Sequence, residues 1–117
     1  YSVFKKKPFE IFGDGSQTRS FCYISDLIKA LCLFMDANKC GIMNLGNNEE
    51  IKIIELAKLI NLITNNSNDF IFKNFNENEP MRRKPSIALA KKELNWNPKI
   101  KLIEGLKLTY NSFSKMN

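Results

Sequence analysis

The alternation of apolar and polar residues along the chain predicts a short strand over residues 9–12. Phe9 and Ile11 fall on one face, Glu10 and Phe12 on the other. Gly13-Asp14-Gly15-Ser16 signals a turn. Residues 18–24 alternate more loosely and predict a second strand. Ser25 is placed to cap a helix running to residue 37, with Leu27, Ala30, Leu31, Phe34 and Met35 as its buried stripe and Gly41 just past its end. Residues 42–45 predict a brief strand, and Gly46-Asn47-Asn48 a turn. A helix follows over residues 53–64, with Leu56, Leu59, Ile60 and Ile63 inward, and the polar run 65–69 breaks it. Phe70-Ile71-Phe72 reads as a strand and residues 74–85 as a polar loop. Ser86 is placed to cap a short helix through Leu94 that Asn95, Trp96, Asn97 and Pro98 end, and a last helix covers residues 102–115 with Ile103, Leu106, Tyr110 and Phe113 inward. The order strand, strand, helix, strand, helix, strand, helix, helix predicts a mixed α/β fold with short strands and four helices.

Length and composition narrow the class. The 117 residues suit one small domain, and 44% hydrophobic with 26% charged residues suits a soluble globule. No apolar run is long enough to span a bilayer. The chain opens on Tyr1 rather than Met, which leads to the expectation of a piece of a longer protein. Eighteen Lys and Arg against twelve Asp and Glu give a net charge of +6. That balance suits an anionic ligand and equally a solvated surface. Phe9, Phe21, Phe34 and Phe113 fall on periodic positions that predict core rather than base-stacking platforms, which argues against nucleic acid. Three cysteines, Cys22, Cys32 and Cys40, with no histidine leave too few ligands for zinc, no Ser-His-Asp or Cys-His catalysis, and reduced cytosolic thiols as the plain reading.

Two segments carry candidate chemistry. The edge of a strand at Glu10, Ile11 and Phe12 can pair its backbone with a nucleobase edge while Ile11 or Phe12 covers the ring. Arg19, arriving after the glycine turn, is a permanent cation able to grip two phosphate oxygens. The alternative is an ordinary hairpin with one surface arginine. Met81-Arg82-Arg83-Lys84-Pro85 gathers three cations at the end of a polar loop and before a helix, a layout for an anion and also for a solvated charge cluster. Two arginine-bearing loops in so short a chain favour a diphosphate. Other features read as structure: Asp26 in a first helical turn, Trp96 as a packing anchor, Gly13-Asp14-Gly15 as a turn without dinucleotide-binding spacing. Tyr1-x-x-x-Lys5 sits at the chain end without a serine partner, so it is not read as a proton-transfer pair.

The segments PFEIFGDGSQTRSFCYISDL (8–27), IMNLGNNEE (42–50) and EPMRRKPSIALAKKELNWNPKIKLIEGL (79–106) resemble the C-terminal part of extended short-chain dehydrogenase/reductases acting on nucleotide sugars, most closely the UDP-glucuronate decarboxylase group. The resemblance implies a Rossmann-type enzyme. An upstream domain binds NAD; this region, residues 1–117, grips the UDP-sugar. In that family NAD takes a hydride from the sugar's 4-position, the keto acid loses carbon dioxide, and the hydride returns to give UDP-xylose. The family's uracil-contacting strand matches Glu10, Ile11 and Phe12, and its phosphate- or ribose-binding arginines match Arg19 and Arg83. The family's glycine fingerprint and catalytic Ser/Thr and Tyr-x-x-x-Lys have no counterpart here, so neither catalytic residues nor a cofactor site is expected on this chain. Lys52 and Lys101 stand where the family tends to have a Ser/Thr cap, and Ser86 where it has aspartate. The implied setting is a cytoplasmic homodimer with no nucleic acid, membrane or metal. The same region of a 4-epimerase or 4,6-dehydratase is the near alternative. A non-catalytic basic module for RNA or an acidic protein, or a remnant without ligand, are the distant ones.

Overall fold

A computed structural model describes residues 2–37, 41–75 and 79–115. The chain forms two compact units. The first comprises Tyr1–Arg19, Ile51–Arg83 and Leu106–Asn117; the second comprises Ser20–Glu50 and Lys84–Gly105.

In the first unit, strand β1 (Phe9–Phe12) runs parallel to a later strand, Phe70–Lys73, which is β4 in chain order. The register pairs Phe9 with Phe70 and Phe12 with Lys73, and the Phe9 and Phe70 rings stack at 6.2 Å. Ile11 is buried as its alternation predicts, and β1 packs on helix α2 (Ile53–Thr64). That helix has the bounds read from its periodicity. Its most buried residue is the small Ala57, while Leu56, Leu59, Ile60 and Ile63 are half-buried. Asn65 ends it at φ 50°, a left-handed position that asparagine tolerates. Strand β2 (Thr18–Ser20) is shorter than expected, and a two-residue strand, β5 (Arg82–Arg83), pairs with it in parallel inside the stretch read as a loop. Strand β3 (Glu50–Lys52), unforeseen in the sequence, completes the order β3-β2-β5.

In the second unit, helix α1 (Ile24–Asp36) packs on α3 (Ala88–Leu94). Ala30, Ala90, Leu94 and Trp96 are its buried centre, with Cys22, Leu33, Phe34, Met43 and Leu45 against them. Two fully buried alanines let the helix backbones approach closely. Trp96 is the packing anchor expected of it. Asp26 is buried, and its Oδ2 accepts the backbone N–H groups of Lys99 and Ile100, each at 2.8 Å, which fixes the approach to helix α4 (Leu102–Ser114). Gly105 lies against Tyr23, whose ring a Cβ there would meet at 3.2 Å.

Several expectations are corrected. Ser25 and Ser86 cap nothing: the cap positions are Tyr23 and Ile87, neither with a side-chain cap bond. Lys52 likewise caps α2 without one, as its departure from the family pattern implied. Leu31, Met35, Ile103, Phe21 and Phe113 are exposed rather than buried. Residues 42–45 form no strand. A strand persists only beside a hydrogen-bonded neighbour, and the pairings among the described residues are β1 with β4 and β3-β2-β5. Ile42 is 95% exposed. Cys40 and Tyr1 lie outside the described residues.

Candidate functional site

The site begins at the turn after β1. Gly13 and Gly15 adopt φ 72° and 78°, and Asp14 Oδ1 accepts the Ser16 N–H at 2.9 Å. The hydrogen bonds from Ser16 hold the Asp14 carboxyl below the usual carboxylate range. The turn is anchored from outside as well. Ile54 N–H donates to the Gly15 carbonyl and Ile53 N–H to the Gln17 carbonyl, both at 3.0 Å. A Cβ on Gly15 would come within 2.8 Å of the Ile54 side chain.

The turn delivers Arg19 into β2 opposite Arg83 of β5, its register partner. Partners in register project to one face of a sheet, so the side chains of Arg19 and Arg83, far apart in sequence, leave the ladder on the same face. Arg19 is half-buried, its side chain 15% exposed. It donates Nη1–H to the Thr18 carbonyl at 2.8 Å and Nη2–H to Glu79 Oε1 at 2.7 Å. Arg83 is exposed. The basic triplet is thereby divided: Arg82 and Arg83 lie in β5, whereas Lys84, in the second unit, has its Nζ 3.6 Å from Glu50.

Along β1, Phe9 N–H donates to Asp69 and Gly13 N–H to Lys73, both at 2.8 Å. Odd-numbered residues therefore serve the ladder with β4, and the N–H and C=O groups of Glu10 and Phe12 point the other way. The Phe12 ring is exposed and can cover a flat ligand; Ile11 is buried and cannot. The Glu10 carboxylate lies 3.5 Å from Lys73 Nζ, so its backbone, not its charge, is what the edge offers. Two residues of this neighbourhood were missed in the sequence. Glu79 sits in a polar stretch with no periodicity to mark it. Gln17 follows a glycine turn and carries no local signal of a role, yet it is buried and donates to the Phe12 carbonyl.

The sequence of residues 2–46 matches the NAD dependent epimerase/dehydratase family. UDP-glucuronic acid decarboxylase 1 of Arabidopsis thaliana is 42% identical over 109 residues, which are 93% of this chain and 25% of that protein. UDP-glucose 4-epimerase of Thermotoga maritima, solved with UDP-glucose, superposes with a TM-score of 0.92 at 30% identity, over 98% of this chain and 37% of its own. UDP-glucuronic acid 4-epimerase of Bacillus cereus, solved with UDP-glucuronic acid and NAD, gives 0.89 at 28% identity, over 99% and 38%. By sequence and by fold the chain is similar to one part of proteins of the NAD dependent epimerase/dehydratase family, the extended short-chain dehydrogenase/reductase type. It spans about a quarter of the length of the curated relatives it matches.

The glycine turn after β1 is not shaped to receive the phosphates of NAD. A dinucleotide's phosphates need a glycine turn open to them between a strand and a helix. Here the glycine turn joins two strands, Phe75 would lie 3.0 Å from a Cβ on Gly13, and Ile54 covers Gly15.

Proposed function

We propose that residues 1–117 are the UDP-sugar-binding part of an NAD-dependent UDP-glucuronate decarboxylase, with NAD and the proton-transferring residues held outside this chain. The observation that carries the reading is the pairing of Arg19 with Arg83 in a sheet whose first strand follows directly from the β1 turn. In this reading the uracil N3–H donates to the Glu10 carbonyl and a uracil oxygen accepts the Phe12 N–H, with the Phe12 ring over the base. Arg19 and Arg83 bind the diphosphate oxygens, where charge-assisted bonds are strongest. The arginines need no proton to act, so binding through them persists across neutral pH. The near 40% identity to plant decarboxylases supports the decarboxylase over its relatives.

A second reading is favoured by the folds: the superposed structures are of 4-epimerases. Incubating the full-length protein with UDP-glucuronate and NAD separates the two. A product lighter by one carbon dioxide supports the decarboxylase; a product of unchanged mass is epimerisation. Tight, salt-sensitive RNA binding with no UDP binding would instead establish the basic-module alternative.

No helix among the described residues is long and apolar enough to cross a membrane.

A further inference from the structure

Gln17 is a buried side chain that finds a partner for only one end of its amide among the described residues. It is 5% exposed, and its Nε2 donates to the Phe12 carbonyl at 2.7 Å. Its Oε1 is buried and meets no donor among the described residues. An amide that satisfies its donor and strands its acceptor loses hydration that a methionine of similar length would never have had. The one side-chain bond it makes among the described residues is therefore what separates it from an apolar residue. That bond ends on the last residue of β1, and Gln17 itself stands two residues before Arg19. Its own carbonyl is held by Ile53 N–H, so the amide acts from a fixed base.

We propose that Gln17 is a positioning residue that sets the nucleotide-facing edge of β1 at a fixed distance from Arg19. By taking the Phe12 carbonyl, it also leaves Glu10 N–H, Glu10 C=O and Phe12 N–H as the groups that β1 directs at the base. The inference rests on the reading that uridine diphosphate lies along that edge. A ligand gripped at both ends gains from having its two contacts held at the right spacing; a ligand gripped at one end does not. Gln17 therefore matters for UDP and not for pyrophosphate.

The test is calorimetric titration of the full-length protein with UDP and, separately, with pyrophosphate. Gln17→Met is expected to weaken UDP about tenfold while pyrophosphate binding changes by less than about twofold. Gln17→Glu adds a rescue that loose packing cannot imitate. Protonated, its carboxyl donates to the Phe12 carbonyl; ionised, it repels it. UDP affinity relative to the unsubstituted protein should therefore be near normal at about pH 5 and low at about pH 8. Equal weakening of UDP and pyrophosphate by Gln17→Met, or a Gln17→Glu ratio flat with pH, overturns the assignment. Failure of the unsubstituted protein to bind UDP overturns the underlying reading and this inference with it.

Discussion

Arg19 and Arg83 are register partners across the parallel pairing of β2 and β5. The Glu79 carboxylate lies 2.7 Å from Arg19 and neutralises its charge locally. Glu79 therefore serves as a local counter-charge where the proposed diphosphate would bring its own. Arg19, the more buried, has the more fixed geometry and should contribute more.

Arg19→Ala in the full-length protein should raise the dissociation constant of UDP strongly. The loss is about 1.5–3 kcal/mol, or roughly ten- to a hundredfold, for a charge-assisted contact. Arg83→Ala should cost less, because its exposed side chain is better screened. Titration calorimetry checks both, and an unchanged constant for Arg19→Ala removes the physical basis of the nucleotide site.

Asp26 is a structural carboxylate that joins the start of α1 to the segment before α4. Removing it leaves two backbone N–H groups, those of Lys99 and Ile100, without their acceptor. Asp26→Ala should destabilise the protein by about 2–4 kcal/mol in urea unfolding, and Asp26→Asn, which keeps an acceptor, by less. Ligand affinity measured well below the melting temperature should change little. A loss of UDP binding with stability intact would move Asp26 from the scaffold to the site.

What the sequence made legible follows from how local each signal is. The α2 helix was read to its exact bounds because Ile53–Thr64 carries an uninterrupted 3.6-residue pattern and a polar break at Asn65. The β1 strand and its glycine turn were equally local. The β3 and β5 strands were not, because two or three residues become a strand only through a partner far along the chain. The caps assigned to Ser25 and Ser86 failed for a related reason: a cap depends on where the backbone turns, and here it turns one or two residues away, at Tyr23 and Ile87. At the site, Arg19 and Arg83 were visible as residue types in suggestive places. Their pairing, the Glu79 counter-charge and the Gln17 tie are long-range or side-chain events that no periodicity encodes.

Burial gives Cys22 and Cys32 different reactivity. Desolvation pushes the Cys22 thiol above its ordinary value, with the nearby Asp26 charge adding to the rise, whereas Cys32 is exposed. A raised thiol holds less thiolate at any given pH, and thiolate is the reacting form. Iodoacetamide at mildly alkaline pH should label Cys32 well before Cys22, and raising the pH further should narrow the gap. Peptide mass mapping over time gives the order; Cys22 reacting first would mean that its surroundings are open to solvent.

Of the expected α1 stripe, Ala30 is buried and Leu27 and Phe34 are half-buried, whereas Leu31 and Met35 are exposed. Ile24, Ile28, Leu31 and Met35, spaced by four, three and four, lie along one side of the helix and are all exposed, Met35 by 77%. They give α1 an exposed apolar face in the second unit, where Ile42 is exposed as well. We propose that this surface meets the part of the enzyme outside this chain, which spans only about a quarter of its curated relatives. The 117-residue chain on its own should therefore bind the dye ANS, self-associate with rising concentration in sedimentation, and melt broadly. Replacing Ile28 and Met35 together by lysine should suppress dye binding and association without lowering the melting temperature, since neither side chain is buried here. The same double substitution in the full-length protein should be destabilising, because there it would bury two charges. A monomer with a sharp melt and no dye binding would show that this face needs no partner.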